Sequence, residues 1–406
     1  MSGRRLWPLV AVGLVLLMLV PLACGRTPAG EKTIKIGAIL PLSGGAMAQA
    51  AEQQQRGLKM ALDEINAAGG VLGKQVELII EDDKGDPSTG VAAAEKLITK
   101  DKVVALIGGY SSTITAAIMG AISKYEPVVV WAGASSTKVE RDYGPKKWFF
   151  HIHPWDYHRQ RTVANFLASV DPKPRTVALA YEDGVYGTTS ADYARRYLKE
   201  VGLQVVFDEP FKSGSSDFTP LLTKVKKANP DVFYWVAYAG DTLLIMKQAK
   251  ELDFNPKLFL TVAINFPEYK KSLGATGDWV AGVDVWVPGM IVKGQENWME
   301  KYNRLYPNSS PEYWAPLAYG NLYTVVDAIK RAGTTEKGKL IEALEKTDLV
   351  TPLGRWTFRA SEEGGLHQAI SEQIITQWQE GKSVVVFPKE KANGEFKYPT
   401  PPWKQR

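Results

Sequence analysis

Cysteine occurs once in the 406 residues, at Cys24, and histidine four times. A single cysteine excludes any disulfide within the chain and any cysteine-built metal site. His151 and His153 alternate in one extended stretch while His158 and His367 stand apart, and no acid at ligand spacing completes a set, so no metal is expected. Charge excess is lacking as well. Lys and Arg number 49 against 44 Asp and Glu, with both signs spread along the chain; no clustered basic face suits nucleic acid. There is no Gly-x-Ser-x-Gly elbow and no ordered Ser, His and Asp set. Residues 333–340 come near a phosphate loop but lack its final Ser or Thr and follow a helix. Glu81, Asp82 and Asp83 read as a solvated or capping strand end rather than an ion site. Neither catalytic residues nor a cofactor is expected. What is present, 45% hydrophobic, 23% charged and 10% aromatic residues, describes a folded globular chain of two or three domains.

The amino end carries an address. Arg4 and Arg5 precede an uncharged apolar run over 6–20, followed by Pro21, Leu22, Ala23, Cys24 and Gly25. This is the layout of a secretory signal, and the run falls short of the roughly 20 residues of a permanent membrane span. Leu22-Ala23-Cys24 resembles the end of a bacterial lipobox, with Pro21 where that pattern usually has Leu. Cys24 is therefore a candidate for lipidation, against the alternatives of an ordinary cleavage site and a signal anchor.

Beyond a polar spacer, strand and helix patterns alternate. Apolar residues at 34, 36, 38 and 40 begin a strand, and Leu58, Ala61, Leu62 and Ile65 recur at helical spacing. Strands at 76–81, 103–107 and 128–132 enclose helices at 88–100 and 112–124; the pattern restarts with strands at 177–181, 205–207, 232–237 and 258–262 between helices at 188–201, 218–228 and 242–252. Such alternation predicts an α/β fold with parallel sheets and right-handed crossovers, here two doubly wound parallel-sheet lobes in tandem. Helices at 296–306 and 314–332 are too little for a third core and should complete the first lobe; a strand pair at 370–378 and 384–387 should complete the second.

Doubly wound sheets bind ligands beyond the carboxyl ends of their strands. Two loops so placed resemble each other: Gly108-Gly109-Tyr110-Ser111-Ser112-Thr113 and Gly133-Ala134-Ser135-Ser136-Thr137. Glycine admits close backbone approach, and hydroxyls with free amide groups at a helix start favour an anion without an arginine. Ser and Thr also serve as plain helix caps, but two such loops in equivalent places point to a ligand.

Ile34-Lys35-Ile36-Gly37 with Pro41-Leu42-Ser43-Gly44, Gly57 with Asp63-Glu64-Ile65-Asn66 and Gly69-Gly70, Glu81-Asp82-Asp83 with Asp86-Pro87, and Ala105-Leu106-Ile107-Gly108 together carry a resemblance over nearly the whole chain. The sequence resembles the type I periplasmic solute-binding proteins, in particular the leucine/isoleucine/valine-binding proteins that serve ABC importers. The resemblance implies two lobes joined by three crossover strands with a cleft between. It divides the chain into a signal peptide at 1–23, a lipoprotein spacer at 24–32, a first lobe at 33–150 with 288–355, a second at 151–287 with 356–390, and a tail at 391–406. It also implies that Ser112, Gly133 and Ser135 hold a ligand carboxylate, and that Tyr186 and Tyr238 supply rings from the second lobe. Tyr110, Ser111 and Trp155 join the candidates by loop position.

The sequence departs from that family in two places. Its amino-acid binders carry an acid after the strand matching 258–262, where this chain has Asn265 as the polar candidate. Ala50 stands near a position where those binders tend to have a ring. Either Asp241, Glu268 or another acid pairs a ligand ammonium, or the ligand lacks one, because a buried ammonium left unpaired is costly. The expected protein is an extracytoplasmic, lipid-anchored monomer that captures an amino acid or related small carboxylate, aromatic acids and amides included, and delivers it to an ABC permease. The rivals are a sensing module for a receptor and an enzyme using the same cleft.

Overall fold

The computed structural model describes residues 1, 3, 33–262, 264–290, 292 and 295–406; Cys24 and the expected export segment lie outside the described residues. The first lobe begins β1 (Thr33–Leu40), α1 (Ala48–Ala67), β2 (Gln75–Asp82), α2 (Pro87–Lys96), β3 (Ala105–Gly108), α3 (Ser112–Ile122), β4 (Val129–Trp131), α4 (Thr137–Tyr143) and β5 (Phe149–His151). All five strands are parallel, in the order β2-β1-β3-β4-β5. Helices cover both faces, which is why these strands read as nearly unbroken apolar runs. Ile36, Ala38 and Leu40 face one core, while Ile39 joins Leu106, Val129 and Trp131 in the other.

The second lobe repeats the plan with α5 (Asp156–Ser169), β6 (Thr176–Glu182), α6 (Val185–Glu200), β7 (Gln204–Phe211), α7 (Thr219–Ala228), β8 (Val232–Val236), α8 (Ala239–Glu251), β9 (Leu258–Val262), α9 (Pro267–Leu273) and β10 (Ala281–Asp284). Its parallel strands run β10-β9-β8-β6-β7, which is the same winding as in the first lobe. The chain then returns through α10 (Glu296–Leu305), α11 (Trp314–Ala332) and α12 (Lys337–Glu345), which pack on the first lobe. Here α11 lies so close to α1 that a Cβ on Gly57 would sit 1.9 Å from the Ala315 carbonyl oxygen. A small hairpin, β11 (Leu349–Thr351) and β12 (Gly354–Trp356), follows, and β13 (Ile374–Gln379) and β14 (Lys382–Phe387) add two antiparallel strands beside β10.

The chain thus crosses between lobes three times, after β5, after β10 and before β13. Two segments sit elsewhere than the sequence suggested. Residues 356–373, expected in the second lobe, pack largely on the first: Trp356 enters its core and Gln368 bridges to His151 at the edge of its sheet. The expected tail is seated on the second lobe, where Phe396, Tyr398 and Trp403 pack against its two cores.

Helix α5 was not visible as a helix in the sequence. Its buried face includes Asp156, Arg159 and Gln160 among Val163, Ala164 and Leu167, so polar residues interrupt the apolar period by which a helix is recognised.

Candidate functional site

In each sheet the strand order reverses between the first and third strands of the winding, β1 and β3 in one lobe and β6 and β8 in the other. Loops leaving these strand ends diverge and open a crevice there, and the two crevices face each other. A cavity of about 50 Å³ lies between them, room for roughly three to five water molecules at about 10–15 Å³ each. Tyr110 reaches it from the loop after β3, Ser112 from the first residue of α3, Ser135 from the loop after β4, Ala50 from α1, Tyr186 from the first turn of α6 and Tyr238 from the loop after β8. Arg159 reaches it from the first turn of α5 and Asp284 from the end of β10; the crossing segments contribute His153 and Gln373, and the start of α11 brings Glu312, Tyr313 and Trp314.

Gly109 makes the first loop possible. Its φ is +83°, and a Cβ there would strike the Trp131 ring at 2.1 Å, so only glycine fits. Ser111 caps α3, its Oγ accepting the Ile114 N–H at 3.5 Å, and the Tyr238 hydroxyl donates to the same oxygen at 3.4 Å across the cleft. Ser112 Oγ accepts the Ser136 N–H at 3.2 Å. These bonds join the two serine-rich loops.

One end of the cavity is built around an ion pair. Arg159, almost wholly buried, donates from Nη1 to Ser135 Oγ at 3.0 Å and lies 3.7 Å from Asp156 Oδ1. Its guanidinium carbon stands 5.4 Å from the centre of the Tyr186 ring. Asp156 in turn accepts from Ser190 Oγ at 2.6 Å and from Thr189, whose Oγ1 also lies 2.9 Å from Ser136 Oγ. Burial pushes the Asp156 carboxyl up to about 6, with Arg159 and the two hydroxyls opposing the rise.

The other end is acidic. Asp284, at the end of β10, accepts the Val285 N–H at 2.8 Å on one oxygen and the Asn265 side-chain amide at 3.0 Å on the other. Burial raises its carboxyl to about 6. Glu312 is buried beside it; its backbone N–H donates to Gln53 Oε1 at 3.3 Å, while its carboxylate receives no hydrogen bond among the described residues. Burial first, then Asp284 and Glu268, hold the Glu312 carboxyl well above the usual carboxylate range. The wall between the two ends is aromatic: Tyr186, Tyr238, Tyr110 and Trp314 follow one another at ring separations of 5.5, 5.5 and 4.9 Å, and Tyr313 and His153 flank Trp314 at 4.7 and 5.1 Å.

Of the residues singled out in the sequence, Tyr110, Ser112, Ser135, Tyr186 and Tyr238 come together on the lining. Four stand behind it. Ser111 holds Tyr238. Gly133 packs on Gly109, and its carbonyl oxygen lies 2.9 Å from His151 Nε2. Trp155 folds back at the start of α5 to stack on His151, ring centres 3.6 Å apart, and so points away from the cleft. Asn265 bonds Asp284 and Thr376, both at 3.0 Å, and serves the lining acid instead of lining the cavity itself. The acids considered from sequence are placed elsewhere: Asp241 accepts from Ser213 and Gly214, and neither it nor Glu268 lines the cavity. Sequence reasoning missed Arg159, Asp284, Glu312 and the Tyr313–Trp314 pair. The Asp156 and Arg159 spacing, i and i+3 just after a strand end, was the available signal for the ion pair.

This double crevice is the architecture of a solute-binding protein. The periplasmic binding protein family profile matches residues 33–383, and the chain belongs to that family, whose members work outside the cytoplasm. It is similar to the Leu/Ile/Val-binding protein homolog 7 of Brucella abortus, 26% identical over 95% of this chain and 99% of that protein. Among solved structures, the branched-chain amino acid transporter substrate binding protein of Streptococcus pneumoniae in complex with isoleucine superposes with a TM-score of 0.78 at 24% identity, covering 88% of this chain and 100% of that one. A solute binding protein of an ABC transporter from Rhodopseudomonas palustris, in complex with benzoate, superposes with a TM-score of 0.78 at 17% identity, covering 87% and 95%. No helix among the described residues is long and apolar enough to cross a membrane.

Proposed function

We propose that the protein is the solute-capturing component of an ABC importer, closing its two lobes on an amino acid or related small carboxylate and presenting the closed form to a membrane permease. The observation that carries this reading is the Ser135–Arg159 contact inside a small cavity walled by both lobes. A buried guanidinium beside the Ser135 hydroxyl, with Ser112 on the same lining, suits a carboxylate, and charge-assisted bonds of this kind are the strong ones. Residues from both lobes touch the same space, so a ligand there prefers the closed arrangement and shifts the equilibrium toward it.

The named ligands of the relatives, isoleucine in one and benzoate in another, bracket the class. Cys24 would anchor the mature protein to the membrane through a lipid chain, and the protein would act as a monomer. A thermal-shift panel of branched-chain and aromatic amino acids, their deaminated acids and their amides tests the assignment, because a ligand that binds only the folded state raises its apparent stability. A rise with one or more carboxylates supports it; turnover of any of them by the purified protein would instead favour an enzyme.

A further inference from the structure

The two ends of the cavity differ in how their charges are met. Arg159 is the one cationic side chain among the described lining residues, and Asp156 lies 3.7 Å from it. Asp284 and Glu312, both almost fully buried on the same lining, form no ion pair among the described residues; the cation they face, Arg159, already has Asp156 beside it. Glu312 lines the cavity with a carboxylate that receives no hydrogen bond among the described residues, an arrangement costly for an ionised group. Asp284, by contrast, is oriented by Asn265 and by backbone N–H groups. The rings of Tyr110, Tyr313 and Trp314 border the same end, and aromatic rings attract a cation through their quadrupole.

We propose that the solute carries an ammonium or another amine-derived cation, and that Asp284 and Glu312 hold it beside the rings of Tyr110, Tyr313 and Trp314. The inference rests on the cavity being the solute site, and it moves the cation partner from the position after β9, where this chain has Asn265, to the crossing after β10 and the start of α11. Asn265 becomes a positioning residue for Asp284. The solute then lies with its carboxylate toward Arg159 and Ser135 and its cation toward the two acids.

Proton linkage gives this arrangement a signature. Facing the two carboxyls are Arg159, His153, Tyr110 and Tyr313 on the lining, with Glu268 behind. Burial holds His153 neutral, its pKa driven well below the ordinary histidine value, and keeps both phenols protonated. Asp156 behind Arg159 is also raised to about 6; on the lining itself, burial raises Asp284 to about 6 and holds Glu312 well above the usual carboxylate range. A bound cation favours their ionised forms, so its binding releases protons and its affinity rises with pH, by up to about tenfold per pH unit for each proton released. An anion without an amine has the opposite slope.

The test titrates L-leucine, 4-methylpentanoate and 3-methylbutylamine into the full-length protein between pH 5.5 and 8, and repeats the titrations with Glu312→Gln and Asp284→Asn. The expected result is that leucine binds at least about 100-fold more tightly than 4-methylpentanoate at pH 8, an advantage that shrinks toward pH 5.5. Either variant is expected to weaken leucine at least 30-fold and to tighten 4-methylpentanoate. Thermal midpoints without ligand establish that the variants are folded; should one fail to fold, the pH slope of the unmodified protein decides. Binding of 4-methylpentanoate as tight as that of leucine, with affinity falling as pH rises, would overturn the cation site while leaving the carboxylate reading in place. If none of the three binds while amides do, both fall together.

Discussion

The two lobes share one strand order, yet they treat the cleft differently. The first lobe offers small residues and hydroxyls, Ala50, Ser112 and Ser135, beside the Tyr110, Tyr313 and Trp314 rings at its edge. The second offers the Tyr186 and Tyr238 rings. An identical winding places loops in identical positions, but what those loops present is set by a handful of side chains. The charges stand beside the crossings: Arg159 in the first turn of α5, just past the first crossing, Asp284 at the end of β10, just before the second, and Glu312 ahead of α11. Architecture thus makes the crevice twice, while polarity comes mainly from the places where the repetition stops.

This division orders the expected effects of substitution. Arg159→Met should be the most damaging change in the cleft, because it strands Asp156 as a buried acid without its cation. Loss of one partner of a buried pair typically costs about 3–5 kcal/mol, which urea unfolding would register as a lower midpoint with an unchanged slope. Glu312→Gln should act in the other direction on the unliganded protein. Its carboxyl is raised by burial, so the folded state takes up a proton more readily than the unfolded chain, and the stability that protonation provides is present at low pH and fades as pH rises toward the folded-state value. Removing the titration should stabilise the protein at pH 8, with no gain at pH 4; equal gains at both values would show that the acid is not strained by burial.

Smaller effects belong to contacts that join or support the lobes. Thr189 donates to Asp156 and its oxygen also meets Ser136 Oγ, so Thr189→Val should cost about 1–2 kcal/mol and speed the opening of the cleft, measurable by hydrogen exchange in α6. Trp155→Phe should do least. The indole N–H of Trp155 is buried without a partner among the described residues, and the ring stacks on His151. The smaller ring loses contact area but relieves that unpaired donor, so ligand affinity should be unchanged within a factor of about two; a larger loss would place Trp155 in the site after all.

Much of this organisation was legible in the sequence, for a physical reason. Parallel strands buried on both faces leave long apolar runs, and the helices between them keep their period, so the α/β alternation and the return of α10 and α11 to the first lobe followed from pattern alone. The two loops that carry Ser112 and Ser135 announce themselves with glycine and hydroxyls, and the family resemblance singles out these two serines within them. Tyr186 and Tyr238 came from the family resemblance rather than from spacing. Arg159, Asp284 and Glu312 were hidden. They lie far apart in the chain, each within an ordinary polar context, and only the three crossings bring them to one cavity. Asn265 was chosen for its place after β9, but its side chain turns to Asp284 and Thr376 and stands one layer behind the lining. Burial of the polar face of α5 is a tertiary effect that no local period reports.

The central claim is that a solute is held in this cavity by groups from both lobes, and Ser112→Ala combined with Tyr238→Ala tests it most directly. In the unmodified protein a well-bound member of the carboxylate panel, present at about 100 times its dissociation constant, should stabilise the fold by about 2.7 kcal/mol. The double variant should fold and show no rise in midpoint with the same compound. An undiminished rise would place the binding site elsewhere in the molecule and contradict the account.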